Sequence, residues 1–350
     1  MFEEVISKIS NKTKIPVYER SIENVLLACT KTTDIWQIAR LAKEPFNLVS
    51  VIVDTLIEEG YLEVIEDKIV LSEKGKSTLN QLGIGFEDYT CPKCRGKGVL
   101  YELLDKDVIK EFLNIVKNRP EAIIKYDQGY IVPEDTLARV AMMDSRGDLR
   151  GRRIIILGDD DLVSIAIGLT KKAKEIAVVE IDERLTSFIK EIASKYGFTV
   201  DVYTKDLREP LPEELIGRFD VFETDPPETL KALKLFIGRG IAALRRPKSA
   251  GYFGLTLVDA SLDKWREFQK VLLNEFNVVI TDVIRDFNLY ENWPYTEDMT
   301  GWKYIPIKVK PKENWFTSTW YRIETLSGSK GFNEPMVGED IYVDEELATA

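Results

Sequence analysis

The sequence RIIILGDDDL, residues 153–162, is an apolar run that ends in one glycine and three consecutive aspartates. Further apolar runs, with helical stretches between them, follow at residues 175–179, 199–203, 219–222 and 250–254. Continuous apolar strands that alternate with helices are typical of a parallel sheet covered on both faces. The pattern therefore predicts a doubly wound α/β domain over residues 105–337, with ligands at the carboxyl ends of its strands.

The turn after the first strand carries acids where a nucleotide-binding sheet normally carries glycines. The usual pattern is G-x-G-x-x-G, which lets the backbone approach a phosphate. Here Gly158 alone remains, and Asp159, Asp160 and Asp161 stand where the anion would lie. Three neighbouring carboxylates repel an anion and favour a cation. They also raise one another's pKa, so that one of them can accept a proton near neutral pH.

Acidic residues also follow the next three strands. Glu180 lies 22 positions after Gly158, a spacing at which an acid binds the ribose hydroxyls of an adenosine ligand. The same residue equally suits the N-cap of the helix that follows. Asp206 follows the third strand, and two prolines hold Asp225 in a rigid turn after the fourth. The strand ends therefore predict one acidic site, and the alternative is a set of separate loop acids in solvent.

The composition limits the chemistry of this site. The 350 residues include 48 Lys and Arg, 59 Asp and Glu and no His, which gives a formal charge of −11. Without His the chain has no Ser-His-Asp or Cys-His nucleophile system and no imidazole metal ligand. Its acidity disfavours nucleic acid or an anionic membrane as a partner. A polar N-terminus and short apolar runs predict a cytoplasmic protein without a membrane span. The low content of Gln and Cys beside abundant Glu and Lys suggests a thermophilic source.

Residues 1–88 form a separate region. A helical apolar pattern that stops at Gly60 is followed by a short hairpin, and this order predicts a winged-helix-like domain. The region carries ten basic and fifteen acidic residues, a net charge of −5, which disfavours DNA binding. We therefore expect it to pack against the second domain, to dimerise or to cover the substrate.

Two further segments flank the α/β domain. Residues 89–104 form a linker that contains Cys91-Pro-Lys-Cys94, half of the ligand set of a zinc ribbon. The ligand count favours a remnant of a metal site, and the alternative is a knuckle that a second subunit completes. Residues 338–350 are acidic and are predicted to form a mobile tail.

Longer motifs carry a resemblance to a known family. ILGDDDL (156–162), VVEIDERL (178–185), TDPPETLKALKLFIGRGIAAL (224–244) and DYTCPKC (88–94) are similar to segments of the branched-chain polyamine synthases. These are the N(4)-bis(aminopropyl)spermidine synthases of thermophilic archaea and bacteria, and the resemblance covers nearly the whole chain. More distantly, the second domain is similar to linear spermidine synthases and to other Rossmann-like transferases of the S-adenosylmethionine type.

The resemblance implies an aminopropyltransferase. Such an enzyme transfers aminopropyl groups from decarboxylated S-adenosylmethionine to N4 of spermidine. The products are N4-aminopropylspermidine, then N4-bis(aminopropyl)spermidine, with release of 5′-methylthioadenosine. The resemblance also implies a polyamine partner, a homodimer and no tightly bound cofactor. The acidic strand ends agree with it, because the donor carries a sulfonium and an ammonium group and the acceptor is a polycation.

The resemblance and the acidic strand ends together suggest roles for individual residues. In an in-line displacement most of the catalysis is positioning and a fixed negative field, and a carboxylate accepts the proton of the attacking amine. Asp160 is the first choice for this base, with Asp159 and Asp225 as alternatives. Donor contacts are assigned to Gly158, Asp161, Glu180, Asp206 and Gln128, and substrate contacts to Tyr130, Glu228, Asp259, Ser261, Tyr290 and Trp293. For the aromatic residues the alternative is packing in the core.

Two other functions fit parts of the sequence. Asp225-Pro-Pro resembles the (D/N)PPY turn of amino-group methyltransferases that use S-adenosylmethionine, although Glu228 stands where their aromatic residue would be. A winged-helix regulator that senses polyamines is the other candidate. Asp54, Glu58 and Glu59 on its would-be recognition helix argue against it, because they repel phosphates.

Overall fold

A computed structural model describes residues 2–349 of the chain. Its N-terminal region contains four helices, an antiparallel hairpin and a further helix. These elements are α1 (Glu3–Lys12), α2 (Glu19–Ala28), α3 (Ile35–Ala42), α4 (Phe46–Glu58), β1 (Leu62–Ile65), β2 (Lys68–Leu71) and α5 (Glu73–Leu82). Among residues 2–349, no helix is both long enough and apolar enough to cross a membrane.

Helices and strands alternate through most of the remaining chain. The elements are α6 (Lys106–Ile115), α7 (Pro133–Ser145), β3 (Arg153–Leu157), α8 (Val163–Thr170), β4 (Glu175–Glu180), α9 (Glu183–Tyr196), β5 (Asp201–Thr204), β6 (Val221–Thr224), α10 (Leu230–Ala243), β7 (Ala250–Leu255), α11 (Leu262–Lys270), β8 (Val278–Leu289) and β9 (Thr317–Thr325). Short helical turns lie at Tyr101–Leu103, Val116–Asn118, Ile124–Tyr126, Glu213–Leu215, Val271–Glu275 and Thr300–Lys303.

Strands β3 to β9 form one sheet in the order β5-β4-β3-β6-β7-β9-β8. The first five strands of this order are parallel, and β9 is antiparallel to both of its neighbours. The chain runs outward from β3 to β5 and then returns to β6 on the other side of β3. This order confirms the doubly wound α/β fold. The carboxyl ends of β3 and β6 flank its switch point, where open sheets of this kind bind ligands.

The central strand β3 explains why helices cover both faces. Its residues 154–157 are fully buried, and a strand points successive side chains to opposite faces. Ile154 and Ile156 pack in one apolar cluster with α7, α8 and α9. Ile155 and Leu157 pack in another with α10 and α11. A continuous apolar run is therefore what a strand in the middle of three layers requires.

Apolar runs do not predict the two antiparallel strands. β8 lies at the edge of the sheet and alternates exposed with partly buried residues, so it never forms a continuous apolar stretch. β9 is almost wholly buried but contains several hydroxyl and charged residues. One of them, Arg322, is satisfied by Asp148, whose Oδ2 lies 2.9 Å from Arg322 Nε.

The acidic C-terminal segment, predicted to be a mobile tail, packs against the α/β domain in the residues described here. Ile341, Leu347 and Ala348 are buried. The Ala348 N–H and the Thr349 hydroxyl both donate to the carboxylate of Asp259, at 2.8 and 2.6 Å. The acidic composition concealed three apolar residues and a set of complementary hydrogen bonds.

The N-terminal region shares its apolar core with the loop between β8 and β9. Trp36 lies 4.8 Å from the rings of both Phe46 and Trp315, and its indole N–H donates to the Val309 carbonyl at 2.8 Å. Phe316, next to Trp315, belongs to the same cluster. The N-terminal helices thus support the loop that carries the aromatic residues of the site described below.

Candidate active site

Two adjoining clefts open at the carboxyl ends of the parallel strands. The first, here called the strand-end cleft, is lined by Tyr126, Asp127, Gln128, Gly158, Asp160, Val179, Glu180, Ile181, Lys205, Asp206, Leu207, Asp225, Pro227, Phe236, Ile341 and Tyr342. The second, the aromatic cleft, is lined by Asp127, Gly129, Asp160, Asp225, Pro226, Pro227, Glu228, Tyr290, Trp293, Phe316 and Thr349. The clefts meet at three shared acids, Asp127, Asp160 and Asp225.

Asp160 is the one residue of the acidic triplet that lines both clefts. Its backbone carbonyl accepts an N–H of Arg119 at 3.4 Å, which helps to hold the turn. No hydrogen bond within residues 2–349 reaches its carboxylate, which is thus left for a ligand. Burial, followed by the charges of Asp161, Glu180 and Asp225, raises its pKa well above the usual value. A carboxylate in this condition can take up a proton.

The other two aspartates of the triplet turn away from the clefts. Asp159 is 1% exposed, and its carboxylate accepts hydrogen bonds from the N–H and the hydroxyl of Ser164. Asp161 is 2% exposed, accepts the Ile131 N–H at 2.8 Å and lies 3.0 Å from Arg139 Nη1. The candidacy of Asp159 as base and of Asp161 as donor ligand is therefore corrected, because both carboxylates are bound within the protein.

A buried arginine organises the acids behind the clefts. The Arg139 side chain is fully buried on α7 and contacts three carboxylates, those of Glu223 at 2.9 Å, Asp225 at 2.5 Å and Asp161. Its Nε donates to Asn288 Oδ1 at 2.9 Å. Three acids around one cation leave excess negative charge, and burial raises the pKa of Glu223. The Arg139 cluster thus fixes a negative field and directs one of its members, Asp225, toward the clefts.

Asp225 is held from several sides. The Tyr290 hydroxyl donates to its Oδ2 at 2.6 Å, beside the bond from Arg139. On β7, a Cβ at Gly254 would lie 2.0 Å from Asp225 Oδ1, so that strand leaves no space for a side chain there. Because its oxygen is already bonded to Arg139 and Tyr290, Asp225 suits electrostatic positioning better than proton transfer.

The acids after β4 and β5 lie in the strand-end cleft. Glu180 accepts the backbone N–H groups of Asp159 and Asp182, both at 2.8 Å. The N-cap of α9 is Asp182, which accepts the Arg184 N–H, so the capping alternative for Glu180 is wrong. Gln128 Nε2 donates to Asp182 at 2.9 Å, and Asp206 pairs with Arg208 at 2.7 Å. Gly158, Gln128, Glu180 and Asp206 thus border one compartment with apolar walls.

Aromatic side chains form one wall of the aromatic cleft. Tyr290 and Trp293 stack with 6.3 Å between ring centroids, and Phe316 meets both of them edge-on. The Trp293 N–H donates to the Gln128 carbonyl at 2.9 Å, which fixes the indole. Glu228 lies in the same lining, with its pKa raised by burial and by the neighbouring acids. These three aromatic residues and Trp315 all belong to the apolar core shared with the N-terminal region, and Trp315 lines neither cleft.

Three predicted contacts lie outside both clefts. Tyr130 borders a neighbouring cavity, where its hydroxyl donates to the Pro120 carbonyl and Arg119 stacks on its ring at 3.6 Å. Asp259 is covered by the C-terminal segment. Ser261 is the N-cap of α11 and bonds to Glu346. The predicted substrate contacts of Tyr130, Asp259 and Ser261 are therefore corrected, because each of these side chains is hydrogen-bonded to another part of the chain.

The sequence pattern missed Asp127, Arg139 and Glu223. Asp127 lies in a left-handed turn, with φ of 53°, and lines both clefts.

Cys91 and Cys94 lie in another cavity, away from both clefts. Among residues 2–349, no group of three or more Cys, His, Asp or Glu side chains could hold a metal ion.

The buried acids make the ligand-free protein sensitive to pH. Burial raises the pKa of Asp159 to about 7 and that of Asp161 to about 6, from 3.8. The folded state then keeps protons that the unfolded chain has lost, so stability falls as pH rises from about 4 toward 7. We expect the free energy of unfolding, measured with urea, to drop by about 2 kcal/mol or more between pH 5 and pH 7.

The matched control is Asp159→Asn, whose pH dependence should be shallower because position 159 no longer titrates. Stability that increases between pH 5 and pH 7 would contradict the assignment of raised pKa values to these acids.

Comparison with known proteins identifies the family. Residues 107–349 match the model of the family described as "Branched-chain polyamine synthase A C-terminal domain". The N(4)-bis(aminopropyl)spermidine synthases of Thermococcus kodakarensis and Methanocaldococcus jannaschii are each 49% identical to this chain, with 99% of both chains covered. A crystal structure of the branched-chain polyamine synthase from Thermus thermophilus has a TM-score of 0.91 and 38% identity, and the match covers 99% of this chain and 98% of that one. By full-length identity and by fold, the chain belongs to the branched-chain polyamine synthase family.

Proposed function

We propose that this chain transfers aminopropyl groups from decarboxylated S-adenosylmethionine to N4 of spermidine, forming N4-aminopropylspermidine and then N4-bis(aminopropyl)spermidine. The observation that carries the proposal is the meeting of two clefts at Asp127, Asp160 and Asp225. The Thermus thermophilus relative was crystallised with two ligands, N4-aminopropylspermidine and 5′-methylthioadenosine. One nucleoside and one polyamine are the pair of ligands that two adjoining clefts can hold.

The strand-end cleft suits the nucleoside part of the donor. Val179, Ile181, Leu207 and Phe236 give it apolar walls on which an adenine ring can pack. Glu180, at the end of β4, is the acid to which we assign the ribose hydroxyls. The sulfonium and ammonium groups of the donor would then lie among the acids that the two clefts share, where they are favoured electrostatically.

The aromatic cleft suits the acceptor. Glu228 and Asp127 offer carboxylates to the ammonium groups of a polyamine, and the faces of Tyr290, Trp293 and Phe316 add cation–π attraction. N4 of spermidine lies between two aminoalkyl arms, so binding both arms leaves this nitrogen in the middle. We assign that position to the junction of the clefts, beside Asp160.

The transfer itself is an in-line displacement. The lone pair of N4 forms a bond to the propyl carbon next to sulfur as the carbon–sulfur bond breaks, and its electron pair stays on sulfur. The sulfonium becomes the neutral thioether of 5′-methylthioadenosine. N4 must be unprotonated to attack, and Asp160 is the carboxylate placed to accept its proton. Asp225 and Asp127 hold the two cations at reacting distance, which is the larger part of catalysis in such a reaction.

The preference for the decarboxylated donor over S-adenosylmethionine is a test of the proposal. The acids at the junction would repel the carboxylate of S-adenosylmethionine, and like charges brought together cost several kcal/mol. We expect the protein to form 5′-methylthioadenosine from the decarboxylated donor and spermidine, and to use S-adenosylmethionine at least about 100-fold less well. Methylated spermidine with S-adenosylhomocysteine would support the methyltransferase alternative instead. DNA binding without either product would support the regulator.

The contact between β7 and Asp225 gives a second test. We expect Gly254→Ala to displace the Asp225 carboxylate and to lower kcat about 100-fold, because small displacements at a reacting centre have effects of this size. Gly85→Ala is the control, since a Cβ at Gly85 would meet no atom within 4 Å. Steady-state kinetics measure both variants, and an unchanged kcat for Gly254→Ala would show that the position of Asp225 does not matter.

A further inference from the structure

Arg119 lies buried between the acidic turn after β3 and the loop between β8 and β9. Its side chain is 6% exposed, and its guanidinium stacks on the ring of Tyr130, with 3.6 Å between Cζ and the ring centroid. Nη1 donates to the Asp160 carbonyl and Nη2 to Glu291 Oε2, both at 3.4 Å. Three segments that are distant in the sequence therefore meet at one cation.

Each of these segments belongs to the region of the candidate active site. Asp160 lines both clefts, and Glu291 directly follows Tyr290 of the aromatic cleft. The Glu291 N–H also donates to the Tyr130 carbonyl at 2.8 Å. Arg119 itself lines neither cleft and borders the neighbouring cavity. It can thus influence a bound substrate only through the residues that it holds.

The contacts of Arg119 suit an arginine and not a lysine. A guanidinium is planar, so it can stack on an aromatic ring and donate hydrogen bonds in its own plane at the same time. A lysine ammonium is a compact charge without such a plane. Replacing the arginine by lysine would therefore keep the charge and lose the simultaneous contacts with Tyr130, Asp160 and Glu291.

The charge of Arg119 faces the candidate base. Besides Arg119, the charged and titratable groups around Asp160 are Asp127, Asp161, Glu180, Asp225, Tyr130 and Tyr295. Burial and the charges of Asp161, Glu180 and Asp225 raise the pKa of Asp160, and the Arg119 guanidinium opposes them. A base must be ionised before it can accept a proton. A cation beside this acidic cluster therefore favours the form of Asp160 that can act.

We propose that Arg119 is a positioning residue for the transfer, which fixes the Asp160 turn against Tyr130 and Glu291 and balances part of the negative charge around the base. The inference rests on the proposed function, because it takes Asp160 as the base. If Arg119 were only a packing residue, its loss would lower activity by the same factor at every pH. A loss of activity that depends on pH therefore distinguishes the two roles.

The test compares Arg119→Met and Arg119→Lys with the unchanged protein. The measurement is kcat/KM for spermidine at saturating donor from about pH 6.5 to pH 9. The titration of spermidine itself is the same for each protein, so it cancels when a variant is divided by the unchanged protein. For Arg119→Met we expect this ratio to be about 0.01 at the lowest pH and to rise about tenfold toward the highest, because loss of the cation raises the pKa of Asp160 by about one unit.

The other two variants separate charge from geometry. Arg119→Lys keeps the charge, so its ratio should be about 0.1 and nearly independent of pH, as expected for a displaced turn. Lys117→Met is the matched control, because it removes an exposed positive charge two positions earlier in the chain. Its ratio should stay at about 1, since solvent screens that charge. Full activity of Arg119→Lys would overturn the positioning of the turn.

A direct titration makes part of the test independent of activity. In protein labelled with carbon-13 aspartate, the carboxyl signal of Asp160 is assigned by its absence from Asp160→Asn. Its midpoint should lie about one pH unit higher in Arg119→Met than in the unchanged protein. Circular dichroism checks that each variant is folded, and Arg119→Gln takes the place of Arg119→Met if the latter is not.

The outcomes separate this inference from the proposed function. An unshifted midpoint, or a ratio for Arg119→Met that does not change with pH, would overturn the inference about Arg119. An unchanged protein that forms no aminopropylated spermidine would overturn the proposed function instead. The titration would then still decide whether Arg119 acts on the charge of Asp160.

Discussion

Replacing Asp160 with Asn is expected to lower kcat by a factor of about 10²–10⁴. Asn has nearly the same shape but cannot accept the proton of N4, and the other two aspartates of the triplet are bonded elsewhere. If Asp160 acts as a base, the activity of the variant should recover in part at high pH, where solvent deprotonates the amine. Pre-steady-state kinetics from about pH 7 to pH 10 measure both effects.

Glu183→Gln is the matched control for Asp160→Asn. It removes one negative charge from an exposed position in the first turn of α9, near the same strand ends. Its kcat should stay within about twofold of the unchanged protein, because an exposed charge is screened by solvent. If Asp160→Asn loses activity equally at every pH, Asp160 would be a purely electrostatic residue and the assignment of the base would be wrong.

Arg139→Met is expected to destabilise the protein by about 3–5 kcal/mol, because removing one partner of a buried ion pair leaves charges uncompensated. Three carboxylates would lose their common cation. Urea unfolding gives the free energy, and kcat should also fall because Asp225 loses a bond. Adding Glu223→Gln to the variant should restore part of the stability by removing one buried charge.

Arg146→Met, at the end of the same helix, is the control. Its partner Asp282 lies 2.6 Å away, but the arginine side chain is 43% exposed. Exposed pairs contribute about 0–1 kcal/mol. A loss for Arg139→Met as small as that for Arg146→Met would contradict the account of the Arg139 cluster.

Strands β3, β4, β6 and β7 could be predicted from sequence because they are buried on both faces and are largely apolar. β5 lies at one edge of the sheet and is only partly buried. The fold class and the gathering of acids at the strand ends follow from that pattern. β8 could not be predicted in the same way, because an edge strand exposes alternate residues and resembles a loop. Ile341 and Leu347 are isolated apolar residues in an acidic stretch, too few to predict packing.

The orientation of individual acids could not be predicted. Asp159, Asp160 and Asp161 are adjacent and chemically identical. Only the conformation of the turn determines that Asp160 faces the clefts and the other two do not. Asp259 and Ser261 follow β7 as predicted, but the C-terminal segment, almost 90 residues later in the chain, covers them. Contacts between distant segments of this kind leave no local pattern in the sequence.

Arg139 did leave a signal that could have been used. It is a charged residue within the apolar run LARVAMM, whereas Glu223 lies in FDVFETD between two other acids and does not stand out. Charged residues are almost never fully buried unless they are paired. An arginine in such a run therefore predicts a buried ion pair, which Arg139 forms with Glu223 at 2.9 Å.

In the proposed reaction the two clefts place N4 of spermidine, and no other nitrogen, against the donor at the junction of Asp127, Asp160 and Asp225. The most direct measurement is fragmentation mass spectrometry of the products formed from decarboxylated S-adenosylmethionine and spermidine over time. We predict first one and then two aminopropyl groups, both on N4, with 5′-methylthioadenosine formed in equal number to the groups transferred. Aminopropyl groups on a terminal nitrogen, giving a linear polyamine, would contradict the account.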